Sequence, residues 1–249
     1  MTRPEPVKWS ALAGARLLLK PFDGWGRSIP LDPAVWQQRL YPLIRGIKNG
    51  EHDGGRTLPE IATELRIAAD LFEEFPDGSA DALQSIPRAA DASRTPQVLR
   101  EIAEHLDDWR HDRHTWLTTP LTTEELRLRF PRFEQILPIF WGQDGVAISD
   151  DMQGATTEDG IRMYIEETHP YCPWELPSVV AECYQAVALF HDEEQMDRFF
   201  SYEAMPGGSG TEGFLDFFPL FAQRCVEHLR KEHHPFWEPK KRSDGRVAS

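Results

Sequence analysis

Helix-start signals recur along this chain, and they leave little room for any other secondary structure. Asp32-Pro33 pairs an N-cap residue with proline at the first helical position, where the fixed φ and missing N–H cost nothing. Thr57-Leu-Pro-Glu60 and Thr122-Thr-Glu-Glu125 are capping boxes, in which hydroxyl and carboxylate each satisfy an orphaned amide. Thr95-Pro96 repeats the cap-and-proline pattern, and Asp192-Glu-Glu-Gln195 is a box with aspartate as its cap.

Apolar residues behind these signals repeat with the helical period. Ile61, Leu65, Ala68, Phe72 and Phe75 share one face, as do Leu99, Ile102, Leu106, Trp109 and Trp116. Val179, Cys183, Val187 and Phe190 form a third, and Phe214, Phe217, Phe218, Phe221, Cys225 and Leu229 a fourth. Pro219 lies inside that last segment and is expected to kink it or mark its start. Pro76-Asp77-Gly78, Thr119-Pro120 and His169-Pro170 are stop signals. Only Val146-Ala-Ile148 reads as a short strand. The predicted fold is all-α, an irregular bundle of about eight to ten helices with room for two packed helical halves. One globular domain over 1–237 is expected, with a sub-boundary near 121 and a disordered polar tail over 238–249.

A chain of 249 residues, 40% of them hydrophobic, can bury a core without disulfides or metal. The three cysteines, Cys172, Cys183 and Cys225, are an odd count with no pairing pattern, which points to a reducing compartment and small core residues. The eight tryptophans are expected as core or helix-packing anchors. No run approaches the roughly 18 apolar residues of a membrane span, and the N-terminus lacks a signal-peptide pattern. A cytoplasmic protein with no membrane partner is expected.

Charge is unevenly spread. The formal net charge is −14, and residues 131–200 carry three basic and fourteen acidic groups, net −11. That segment would repel nucleic acid, so no nucleic-acid partner is expected. A strong acidic field speeds encounter with a basic partner, and the candidate face is Asp150, Asp151, Glu158, Asp159, Glu166 and Glu167. The pattern is similar to that of bacterial immunity proteins and antitoxins that block basic nucleases, by charge alone. It implies a soluble inhibitor of a basic protein, with no cofactor.

The alternative is a metal-dependent enzyme. Glu101, His105, Asp108 and Asp112 share one stripe of the helix expected over 96–118, and such a stripe could hold a divalent metal inside a bundle. Glu166-x-x-His169 has the spacing of carboxylate-bridged metal sites and could complete the set. Other motifs are weaker. Gly208-Ser-Gly210-Thr-Glu-Gly213 spells a dinucleotide-binding pattern without the preceding strand, and reads as a flexible loop. Ser209 fails the nucleophile-elbow pattern. Cys172 has His169 nearby but no oxyanion donor, and His233-His234 reads as an exposed helix end.

Overall fold

The computed structural model describes residues 9–51, 54–142, 155–205, 207–210 and 212–235. Eleven α-helices stand among the described residues: α1 (Ala13–Leu19), α2 (Pro33–Gly50), α3 (Leu58–Glu74), α4 (Thr95–Asp107), α5 (Arg113–Thr118), α6 (Thr123–Arg127), α7 (Phe133–Trp141), α8 (Thr157–Thr168), α9 (Cys172–Leu189), α10 (Glu193–Asp197) and α11 (Phe214–Glu232). A π-helical turn, Arg198–Glu203, follows α10. The fold is all-α, as the cap signals and the 3.6-residue period require. The described residues hold no strand, only an isolated bridge between Ile29 and Ala89. The expected strand at 146–148 and the tail at 238–249 lie outside the described residues. No helix among those described is long and apolar enough to cross a membrane.

The chain divides into two compact units, 1–129 and 130–249. In the N-terminal unit α3 lies along α4, α1 rests on α3, and α2 meets α6. Leu18, Leu40, Ile44, Ile61, Leu65, Leu99 and Ile102 fill the space between them. Buried within this unit, Arg45 satisfies all five of its N–H groups. Nε and Nη2 grip Glu125 at 2.8 and 2.7 Å, Nη1 reaches the carbonyls of Trp116 and Thr119, and Nη2 that of Pro120. Glu125 therefore cannot complete its capping box. Thr122 still accepts from the Glu125 amide, but the carboxylate goes to Arg45 instead of back to the cap.

The C-terminal unit is built on α9 against α11, with α8 beside α11. Its core is phenylalanine. Phe130, Phe133, Phe200, Phe214, Phe217, Phe218 and Phe221 are buried; their rings meet edge-on or tilted at 4.9–6.0 Å, save Phe214, which stacks on Phe218 at 5.6 Å. Each such pair adds about 0.5–1.5 kcal/mol beyond burial. Pro219 lies in the second turn of α11, and the helix begins five residues before it.

Three helices without a local cap borrow a glutamate from elsewhere in their unit. The Glu64 carboxylate accepts from the Ala15 amide of α1 at 2.9 Å. Glu182 of α9 accepts from Arg132 and Phe133 at the start of α7, both at 3.2 Å. Glu193 of α10 accepts from Phe214 and Leu215, at 2.6 and 2.9 Å, at the start of α11. A carboxylate at a helix N-terminus meets orphaned amides and the positive end of the dipole together.

The glycines of 207–213 follow from the same packing. A Cβ on Gly207 would lie 2.5 Å from the Leu137 Cβ, and Gly210, at φ +77°, would drive one to 2.3 Å from the Thr157 hydroxyl. Gly207 and Gly210 thus lie pressed against α7 and α8. The π-helical turn Arg198–Glu203 stands ahead of them, so the strand that a phosphate-cradling loop needs is replaced by helix.

Candidate metal centre

Three helix ends in the C-terminal unit converge on one point. Arg224 of α11 bonds Glu158 in the first turn of α8 at 2.7 Å, and farther along, His228 and His233 meet His169. The two helices therefore run in the same sense and finish together. His169 is the C-cap of α8, and its amide donates to the Ile165 and Glu166 carbonyls. His233 is the C-cap of α11, with extended φ and ψ of −126° and 141°. Cys172 is the first residue of α9.

One ligand atom from each of His169, Cys172, His228 and His233 lies within 4.8 Å of every other. The Cys172 Sγ stands 3.9 Å from the His169 Nδ1, and the imidazole centroids are 5.2–6.1 Å apart. A tetrahedral ion with metal–nitrogen bonds of about 2.1 Å and a metal–sulfur bond of about 2.3 Å spaces its donors roughly 3.4–3.7 Å apart. Rotamer shifts of about 1 Å or less would bring these four to that spacing.

The surroundings favour a cation. The C-terminal ends of α8 and α11 bring the negative ends of two helix dipoles to the point, and Cys172 stands in the first turn of α9. Burial pushes the Cys172 thiol up and holds the His228 imidazole down, with His233 adding to the latter. The His228 Nε2 is buried with no hydrogen-bond partner among the described residues. Imidazole plus thiolate suits zinc, cobalt or nickel and disfavours magnesium and calcium.

The six residues expected from the sequence to hold a metal do not assemble this way. α4 ends at Asp107, so Glu101 and His105 are helical, Asp108 is the C-cap, and Asp112 caps the next helix by accepting from Thr115 at 2.7 Å. The single-helix stripe is thereby corrected: the backbone turns before Asp112. Glu101 bonds Gln97, and His105 packs edge-on to Trp36 at 5.5 Å. Glu166 bonds Arg162, and only His169 of the six enters the cluster. His233, expected as an exposed helix end, is a member. His228 was missed, because His228-x4-His233 matches no regular helical spacing and works only where the helix stops.

On the acidic face, Asp150 and Asp151 lie outside the described residues. Asp159 and Glu166 hold Arg162, and Glu158 holds Arg224. Among the described members, Glu167 alone shows no ion pair. Trp36 and Trp141 are buried as expected of anchors, whereas Trp25 and Trp174 are exposed. No family model, curated protein or solved structure matches this chain.

Proposed function

We propose that the protein binds a divalent transition metal of the zinc class through His169, Cys172, His228 and His233, and that the ion clamps the end of α11 to the α8–α9 turn. The observation that carries this reading is the convergence of four donors from three segments within 4.8 Å. Four protein donors fill a tetrahedron and leave no open position, which is the pattern of a structural site. The clamp would join residues 172 and 233, far apart in the chain, and so restrict the unfolded state as a covalent cross-link does.

The test is elemental analysis of untagged protein purified without chelator, followed by cobalt substitution. One equivalent of zinc, cobalt or nickel is expected. Cobalt should give visible d–d bands of a tetrahedral site and a thiolate charge-transfer band that Cys172→Ser removes. No metal above background after zinc reconstitution, or a cobalt spectrum unchanged in Cys172→Ser, would sink the reading.

A further inference from the structure

α9 carries two apolar faces, and the core of its unit uses one of them. Leu176, Val179, Cys183 and Ala186 are buried on the inner face, in line with Cys172. On the opposite face Trp174, Pro177, Ala181, Tyr184 and Ala188 all stand exposed, Trp174 by 77% and Tyr184 by 58%. Their successive spacings are three, four, three and four residues, the repeat by which one helix packs along another. The solvent side of a surface helix is ordinarily polar, yet this stripe is apolar over the length of α9.

Charge decides what the seam excludes. α9 has no lysine or arginine, so it lacks the basic face with which a helix holds an anionic membrane or a phosphate backbone. Its two acidic residues stand off the seam. Glu182 is buried and accepts from the Phe133 amide at the start of α7, and Glu175 lies about 100° around the helix from Trp174. The flanking positions are Ser178, Val180, Gln185 and Val187, none of them charged. Charged flanks are what tie such a seam to a foreign helix of opposite sign. With uncharged ones, a chain of net charge −14 can meet its own copy here without close like-charge pairs.

Size decides what the seam fits. Two copies of α9 laid antiparallel about a two-fold axis at Ala181 set Trp174 against the partner's Ala188 and Tyr184 against the partner's Pro177. Ala181 meets its own counterpart on the axis. Each layer then joins a large side chain to a small one, or two small ones, which lets facing helices interdigitate. The seam is thus complementary to itself, as a two-fold interface requires. We propose that the outer face of α9 is the surface through which two copies of this chain associate. Covering one tryptophan and one tyrosine with their small neighbours buries roughly 300–500 Å² per copy. The total falls below about 1,200 Å², the range of weak and reversible association.

The test is sedimentation velocity of the full-length, zinc-supplemented protein from about 5 to about 500 μM. A monomer–dimer equilibrium with a Kd of about 10–100 μM is expected. Ala181→Glu puts two like charges at the axis on an exposed position that tolerates a helix former, and should weaken association at least about tenfold with an unchanged thermal melt. Trp174→Ser should weaken it about 3–10-fold. Gln223→Glu, which adds the same charge to the exposed side of α11, should leave the Kd as it is. A single species of monomer mass up to about 500 μM would overturn the proposal. So would a dimer that survives both seam variants, or one that Gln223→Glu weakens as much as Ala181→Glu does. Association is read as mass and metal content as composition, so the two proposals fail separately.

Discussion

Arg45 and Glu125 show how much one buried pair can depend on its partners. Every N–H of the guanidinium has a protein acceptor, and the two side chains are 3% and 0% exposed. Removing one member leaves a buried charge without a counterpart. Arg45→Met should therefore cost about 3–5 kcal/mol of unfolding free energy. Urea denaturation checks this, and a loss below about 1 kcal/mol would show the pair to be dispensable. His105 supplies a pH dependence. Its folded pKa is lowered by burial, so the unfolded chain takes up the proton first as pH falls. Its contribution is whole above the ordinary imidazole value of 6.5 and is lost as pH drops through the folded value. His105→Gln should flatten the fall in stability on the acid side of that value, and an unchanged pH slope in denaturant titrations would count against it.

Carboxylates borrowed from a distance do for whole helices what local caps do elsewhere. Glu182 starts α7 and Glu193 starts α11, each meeting two backbone amides. Burial raises the Glu182 pKa against the pull of those amides and Arg132. Its substitution by alanine should cost about 1–2 kcal/mol, the range of a lost N-cap. Glu182→Gln, which keeps an acceptor oxygen for the Phe133 amide, should recover part of that in thermal melts. Equal losses in both variants would mean that packing, not capping, is at stake. At the same scale, Gly207→Ala should destabilise by about 1–3 kcal/mol, since a methyl there meets the backbone and Cβ of Leu137. Wild-type stability in that variant would show that the segment can move aside.

Over the whole molecule, the four donors of the candidate metal centre all lie within the C-terminal unit, residues 130–249. Metal removal should lower the melting temperature by about 5–10 °C if the ion is held at about a thousand times its dissociation constant. Calorimetry with and without a chelator measures this. Cys172→Ser should behave as the chelated protein does, and a melting temperature indifferent to chelator would remove the clamp from the account of stability.

The helical class, the cap residues Asp32, Thr57 and Asp192, and the buried faces of α3, α4 and α11 were all legible in the sequence, because capping and the 3.6-residue period are local. The partners of Glu64, Glu125, Glu182 and Glu193 were not. A carboxylate that caps a distant helix looks in sequence like one that lies open on a surface, and the acidity of residues 131–200 was read as a face for a basic partner. The metal centre was half legible. His169 and Cys172 are three residues apart, but His228 and His233 join them only because α8 and α11 run side by side and both end there. Local free energies decide where a helix begins and which stripe it buries. Which helix ends meet depends on how those stripes pack, and that is settled only when the core closes around them.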